Sequence, residues 1–246
     1  MFSIFKKKSF LIDHIEGVTD FHNHILPGID DGAKNVKESL ELIREFNRLG
    51  IYNLIATPHV IGEYYPNTPE SIQNAYNQIQ EKEKIKNLGY SAEYMMDQHF
   101  IEIIEKNQII PLVEKKVLVE MSYFQPPLNL NEILFKLQNN TFQPILAHPE
   151  RYTYLHSKDL EKFRDLKTRG CKFQLNMLSL TPHYGIGIQK MAYKLIEYNL
   201  IDYICSDVHK ISHLEKIREI KFPKKLETKV SSIKMNNLQL MEKRFN

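Results

Sequence analysis

Seven short apolar segments, separated by longer amphipathic ones, constrain the fold of this chain more than any other feature. The predicted strands are GVTDFHNH, IYNLIATPH, YSAEYM, KVLVEMS, FQPILAHPE, KFQLNM and DYICSDVH. Helical spacing of apolar residues predicts helices over NVKESLELIREFNRLG and over residues 69–88, 97–107, 131–139, 158–169, 187–198 and 211–220. Strands that alternate with helices favour a parallel sheet. We therefore predict the α/β class with a seven-stranded barrel, and an open doubly wound sheet is the alternative.

The length and the distribution of charge suggest how the chain is divided. The 246 residues suit one large domain, because an α/β barrel of this size counts as a single unit. We predict a barrel over residues 18–220, an N-terminal extension over 1–17 and a basic C-terminal tail over 221–246. The tail contains seven Lys or Arg and two Glu, and both ends are interpreted as solvated.

Composition also excludes several classes of protein. Two cysteines, Cys171 and Cys205, are too few for a disulfide framework and fit a reducing compartment. No segment approaches the roughly 18 apolar residues of a membrane span, and the apolar run after the N-terminal lysines is too short for a secretory signal. The basic residues are not interleaved with aromatic ones, which argues against nucleic-acid binding. We predict a cytoplasmic protein that does not span a membrane.

Six of the seven predicted strands end in a histidine or a carboxylate, and this pattern is the main indication of function. In a parallel barrel the carboxyl ends of the strands meet on one face, so residues far apart in sequence converge there. The sixth strand ends in Asn176, which is a poor metal ligand. The candidate metal ligands are His22, His24, Asp31, His59, Glu93, Glu120, His148, Asp207 and His209.

The type and number of these residues indicate the kind of metal site. His22 and His24 point the same way because side chains alternate across a strand, and Asp20 is predicted to orient one of them. Mixed imidazole and carboxylate ligands suit Mn, Fe or Zn. Nine such groups exceed what one tetrahedral ion can use, so two or three ions are expected. Each motif alone has an ordinary structural explanation, and only their coincidence at one edge favours a metal site.

The segments DFHNHILPGIDDGA, ATPH, AEYM, VEMS, AHPER and SDVH resemble the polymerase and histidinol phosphatase (PHP) superfamily of metal-dependent phosphoesterases. They resemble most closely its bacterial branch of tyrosine-protein phosphatases associated with capsule and exopolysaccharide synthesis. The match covers about residues 18–210. The resemblance implies a distorted, TIM-like seven-stranded barrel and a site of two or three ions, usually manganese, with Fe, Zn or Mg as alternatives. The nine residues given above occupy the ligand positions of the family.

The resemblance also implies the reaction, which is hydrolysis of phosphotyrosine without a covalent enzyme intermediate. Arg151, in the HPER motif, falls on the position of the arginine that binds phosphate, and His148, Asp207 and His209 are the other expected catalytic residues. A second arginine, frequent in the branch after the last histidine, is replaced by KISHLEK. Lys210 and His213 are the candidates to substitute for it. The implied partner is a phosphotyrosine protein, namely a membrane-anchored bacterial tyrosine autokinase.

Other readings of the sequence stay open at this point. A cysteine-based phosphatase is excluded, because it needs an arginine six positions after its cysteine and this chain has Met177 and Ile211 there. A histidinol-phosphate or other small-molecule phosphatase of the same superfamily is the first alternative. A non-catalytic scaffold is the second, although a scaffold has little physical reason to keep clustered carboxylates.

Overall fold

The computed structural model describes residues 8–245, so the first seven residues of the predicted N-terminal extension, and Asn246, lie outside the described residues. The strands are β1 (Lys8–Phe10), β2 (Thr19–Asp20), β3 (Asn53–Ala56), β4 (His59–Val60), β5 (Leu88–Tyr90), β6 (Glu93–Met95), β7 (Lys116–Glu120), β8 (Gln143–Ala147), β9 (Lys172–Asn176), β10 (Tyr203–Cys205) and β11 (Lys221–Pro223). The α-helices are α1 (Ile12–Ile15), α2 (Val36–Arg48), α3 (Pro69–Lys82), α4 (Gln98–Glu105), α5 (Leu130–Asn139), α6 (Glu161–Thr168), α7 (Ile186–Glu197), α8 (Ile211–Arg218) and α9 (Glu227–Phe245).

The helices predicted between the strands are present, and their local sequence explains where they begin and end. In α2 the buried residues Leu40, Ile43 and Phe46 recur at helical spacing, and the Asn35 side chain caps the first turn by accepting from the Glu38 N–H. Helix α3 ends at Lys82, six residues before its predicted end. There the Gln80 side chain bonds both the N–H and the carbonyl of Ile85, and this replaces further helical hydrogen bonds.

The predicted α/β class is confirmed, because the strands that alternate with helices pair in parallel. They form a six-stranded sheet in the order β10-β9-β8-β7-β6-β4 and a three-stranded sheet in the order β2-β3-β5. The single seven-stranded sheet of the prediction is not seen as such, because two predicted strands are interrupted. The second predicted strand divides into β3 and β4 around Pro58, which has no N–H to donate to a ladder. The third divides into β5 and β6.

The first and last of these parallel strands, β2 and β10, meet through a few specific contacts. An isolated parallel bridge joins Asn23 to Val208, and the N–H of His24 donates to the carbonyl of Val208 at 2.9 Å. Next to it, the N–H of Asp207 donates to the carbonyl of His22 at 2.8 Å. The two ends of the predicted strand series are therefore adjacent in space.

The described parts of both terminal segments are packed, which differs from the solvated ends that the charge pattern predicted. Strand β1 pairs with β11 in an antiparallel sheet. Helix α9 buries Val230, Ile233 and Leu240, and it also buries the polar residue Asn237. Its lysines made the segment look like a tail, yet one face of the helix packs against β2 and β10. None of the helices among residues 8–245 is long and apolar enough to cross a membrane.

Candidate metal centre

Glu93, at the start of β6, lies at the centre of the cluster and is fully buried. Its Oε1 lies 3.1 Å from Nε2 of His22 and 3.2 Å from Nε2 of His148. Its Oε2 lies 3.1 Å from Nδ1 of His59 and 3.5 Å from Nε2 of His24. One carboxylate therefore contacts four imidazoles that come from three different strand ends.

Asp207 closes the cluster from the side of β10. Its Oδ1 lies 3.4 Å from Nε2 of both His22 and His24, and 3.6 Å from Nδ1 of His209. Asp207 has φ +53°, and His148, which follows β8, has φ +34°. Conformations of this kind cost non-glycine residues free energy and tend to be found at functional sites.

The remaining predicted ligands lie on the outer side of the cluster. Asp31 Oδ1 lies 3.3 Å from Nε2 of His209 and 3.6 Å from Nε2 of His59. Glu120, at the end of β7, lies 2.9 Å from Nδ1 of His59. All nine predicted residues thus lie in one connected cluster. His59 and Glu93 are the first residues of β4 and β6, and the others lie at or after the carboxyl ends of parallel strands.

The ligand atoms of this cluster are placed to bind divalent cations rather than to form hydrogen bonds with one another. Nε2 of His22 and of His24, both Glu93 oxygens and Oε1 of Glu120 are buried, yet none has a partner with hydrogen-bond geometry among residues 8–245. Buried polar atoms are rarely left so, because the loss of solvation is costly. The ligand atoms form four overlapping groups, each within 4.8 Å: His24–Asp31–His59–His209, His22–His24–Glu93, His22–His148–Asp207 and His59–Glu93–Glu120.

Three hydrogen bonds turn the imidazoles so that one nitrogen faces the centre. Nδ1 of His22 lies 2.7 Å from Oε1 of Gln174, and Nδ1 of His24 lies 2.8 Å from Asp30. Nδ1 of His209 lies 3.0 Å from the carbonyl of Asp207. Since each partner is an acceptor, Nδ1 carries the proton and Nε2 offers its lone pair to a cation.

The orienting roles of Gln174 and Asp30 were not predicted from the sequence, and the role predicted for Asp20 was wrong. Asp20, predicted to orient a histidine ring, instead accepts from the Ser206 N–H at 2.7 Å and from Asn23 at 2.9 Å, so it holds two strands together. Asp30 takes the orienting role for His24, and the DD pair in the sequence gives no sign of which aspartate does so. Gln174 lies in the middle of a buried strand, where only the tertiary contact reveals its function.

The pKa values show how the cluster balances its charge without cations. Burial and His59 act to lower the pKa of His24, but the carboxylates of Asp30 and Asp207 raise it to about 10. Burial acts to raise the pKa of Glu93, but His22 and His59 hold it well below its usual range. Burial and the nearby Arg151 lower the pKa of His148 to about 4. Cationic imidazoles thus compensate the buried carboxylates.

A cavity of about 450 Å³ opens the cluster to solvent. Three tyrosines line it, namely Tyr65, Tyr123 and Tyr184. Besides the candidate ligands, the basic and imidazole side chains that line it are Arg151, His183, Lys210 and His213.

Neither cysteine has the properties of a nucleophile. Both are buried, and neither lines the mouth. Burial raises the pKa of Cys171 to about 12 and that of Cys205 well above its usual range. The reactive thiolate is therefore disfavoured at both positions.

Comparison with known proteins agrees with the resemblance found in the sequence. Residues 18–240 match the family described as capsular polysaccharide synthesis, CpsB/CapC. CapC of Staphylococcus aureus is 31% identical over 201 residues, which cover 80% of this chain and 78% of CapC. The tyrosine-protein phosphatase YwqE of Bacillus subtilis is 30% identical over 197 residues, which cover 78% of this chain and 77% of YwqE.

A solved structure supports the same relationship at the level of the fold. It belongs to the crystal structures of YwqE from Bacillus subtilis and CpsB from Streptococcus pneumoniae, described as unique metal-dependent tyrosine phosphatases. Its TM-score to this chain is 0.73 at 28% identity, and the match covers 91% of both chains. The protein therefore belongs to the CpsB/CapC family of capsular polysaccharide synthesis.

Proposed function

We propose that this chain is a metal-dependent phosphatase that hydrolyses phosphotyrosine in proteins. The observation that carries the proposal is the buried cluster of imidazole and carboxylate atoms without hydrogen-bond partners, which adjoins an arginine at an open mouth lined by tyrosines. YwqE and CpsB, which are named tyrosine-protein phosphatases, support the choice of substrate.

The nine clustered residues are proposed to hold two or three divalent cations. The ligands would be His22, His24, Asp31, His59, Glu93, Glu120, His148, Asp207 and His209. Cations held there would supply Lewis-acid chemistry, which neutralises phosphate oxygens and makes a water more acidic. We favour manganese, because imidazole and carboxylate ligands occur together, and Fe, Zn and Mg remain alternatives to be measured.

Arg151 is proposed to bind the phosphate group. Its Nη1 donates to Asp207 Oδ2 at 2.8 Å, so the guanidinium lies next to the ligand cluster. A guanidinium has five N–H donors in a planar fork, and the bond to Asp207 leaves others for phosphate oxygens.

The protein's part in the departure of the leaving group is small. A tyrosine hydroxyl has a pKa of about 10, so tyrosinate leaves more readily than an alkoxide. His148, Asp207 and His209 are proposed as the other catalytic residues, and His209 lies nearest to solvent, with its side chain 18% exposed. His209 would act there as a cation ligand, and the departing tyrosinate would take its proton from water at the mouth.

Several finer points belong to the same proposal. The two parallel sheets are proposed to form one distorted seven-stranded barrel over residues 18–220, and the contacts between His22, His24 and Val208 at its closure support this. Residues 221–246 would cover one end of it.

The substrate is proposed to be a membrane-anchored bacterial tyrosine autokinase, and the site of the reaction is proposed to be the cytoplasm. Lys210 or His213 would serve in place of the second arginine that is frequent in the family.

An assay of the purified protein with phosphotyrosine peptide and histidinol phosphate, with manganese or with chelator, tests the proposal. We expect manganese-dependent release of phosphate from the peptide and loss of activity with chelator. Faster turnover of histidinol phosphate would favour the small-molecule phosphatase. No turnover of any phosphoester in metal-loaded protein would favour the scaffold.

A further inference from the structure

The Arg151 guanidinium lies against two tyrosine rings at the mouth of the cluster. Its central carbon lies 4.1 Å from the ring centroid of Tyr184 and 4.6 Å from that of Tyr123. Both distances are well within the 6 Å range of a cation–π interaction. The flat faces of the guanidinium are the parts that stack on aromatic rings, so such contacts leave its N–H edge for hydrogen bonds.

The two tyrosines are themselves held in different ways. The Tyr184 hydroxyl accepts from Nδ2 of Asn176 at 3.1 Å, and the same Nδ2 donates to Asp207 Oδ2 at 2.8 Å. The Tyr123 ring instead packs against the rings of His148 and Tyr152, each with a centroid separation of 5.7 Å. Tyr184 is therefore tied to the cluster by its hydroxyl, and Tyr123 by its ring.

Asp207 fixes the direction in which the edge of the guanidinium points. Its Oδ2 receives both Arg151 and Asn176, while its Oδ1 faces His22, His24 and His209. A long arginine side chain at a partly open mouth would otherwise lose rotamer freedom on binding a substrate. The contacts of the guanidinium with the two tyrosine rings, and the hydrogen bond from its Nη1 to Asp207, restrict these rotamers before a substrate binds.

We propose that Tyr123 and Tyr184 are positioning residues that hold the Arg151 guanidinium ready for the phosphate group of the substrate. This inference rests on the proposed function, because it assumes that a phosphate binds beside Arg151. Neither tyrosine takes part in the chemical step. Their contribution is to the affinity for the phosphate group, and it acts through Arg151.

The test is the binding of inorganic phosphate to manganese-loaded protein, measured by calorimetry. Replacing either ring by leucine removes the cation–π contact, and we expect Tyr123→Leu and Tyr184→Leu each to weaken phosphate binding about tenfold. Tyr123→Phe keeps the ring and should restore the affinity. Metal content should be unchanged in all three variants. In steady-state kinetics with an aryl phosphate, KM should rise while kcat changes little.

A matched control and a double variant separate positioning from a general structural effect. Tyr198→Leu removes an exposed tyrosine whose ring lies 6.0 Å from Arg164, and it should leave phosphate affinity unchanged. In an Arg151→Ala background, Tyr123→Leu should weaken phosphate binding no further.

Equal losses from Tyr123→Leu with and without Arg151 would overturn the inference, as would unchanged affinity in both leucine variants. Calorimetry decides the positioning role without any turnover. A wild-type protein that binds phosphate but hydrolyses no aryl phosphate would contradict the proposed function alone.

Discussion

Glu93 and Asp207 each face several imidazoles at once, and this arrangement makes the cluster sensitive to single substitutions. Both are almost fully buried, and the pKa of each is held well below its usual range against the effect of burial. Both could be singled out from the sequence as candidate ligands, because each lies in or just after a predicted apolar strand. Asn176, Gln174 and Asp30 could not be, since their roles depend on neighbours distant in sequence.

His148→Ala should remove an imidazole from the group it forms with His22 and Asp207. We expect at least a hundredfold loss of phosphatase activity and a lower manganese content, while the far-ultraviolet circular dichroism stays unchanged. His156→Ala is the matched control, because the His156 ring bonds the carbonyl of Glu150 and lies outside the nine candidate ligands. Full activity of His148→Ala would refute its role as a ligand.

Glu150 gives a prediction for the dependence of stability on pH. Burial raises the pKa of its carboxyl from 4.5 to about 7. Above pH 4.5 the folded state keeps a proton that the unfolded state loses. The stability that the protonated carboxyl contributes is therefore complete below pH 4.5 and is lost as the pH rises through 7. Glu150→Gln should abolish this loss. Its free energy of unfolding, relative to wild type, should rise by about 2–3 kcal/mol between pH 4.5 and 8.

Urea unfolding at several pH values in the presence of chelator measures the difference for Glu150→Gln. Chelator prevents metal affinity from adding its own pH dependence. Glu102→Gln, at an exposed position on α4, should follow the wild-type profile. A constant difference between Glu150→Gln and wild type at every pH would show that the carboxyl is charged when folded.

At the scale of elements, the loop between β2 and α2 shows how a short segment builds one wall of the cluster. The Ala33 N–H donates to the carbonyl of His24 at 3.0 Å, and the Gly32 N–H donates to Asp30 at 3.0 Å. This tight turn places Asp30 next to Nδ1 of His24 and places Asp31 in the group of ligand atoms with His24, His59 and His209. The closeness of these two chain segments follows only from the structure.

Gly32→Ala should disrupt this loop. A Cβ at position 32 would lie 1.9 Å from the carbonyl oxygen of His24, so the backbone must shift. We expect a loss of about 1–3 kcal/mol in stability and a strong loss of manganese binding. Gly187→Ala, on α7 with no atom within 4 Å of the added Cβ, should change neither. Thermal unfolding and metal analysis compare the two, and equal behaviour would contradict the close approach.

At the scale of the whole molecule, α9 connects β2 and β10, the first and last of the parallel strands. The Asn237 side chain accepts from the Ile204 N–H at 3.0 Å and donates to the carbonyls of Ile204 and Thr19 at 2.8 and 3.2 Å. It thereby satisfies backbone groups of both β2 and β10. This helix was not predicted because its lysines obscure the short apolar face of Val230, Ile233 and Leu240.

Asn237→Leu should leave these backbone groups buried without partners. We expect a loss of about 3 kcal/mol or more in the free energy of unfolding, measured by urea titration. The neighbouring Asn236 is exposed and makes one bond to the Asp202 carbonyl, so Asn236→Leu should cost less than about 1 kcal/mol. Similar losses in both variants would mean that the hydrogen bonds from Asn237 to β2 and β10 contribute no specific stability.

The pairing of the first parallel strand with the last has a consequence for synthesis on the ribosome. His22 and His24 emerge early, but their partners Asp207 and His209 are translated more than 180 residues later. Contacts of such long sequence separation form slowly. Until Asp207 and His209 have been translated, the nascent chain carries only part of the candidate ligand set, so the full complement of the proposed cations would bind only after that point.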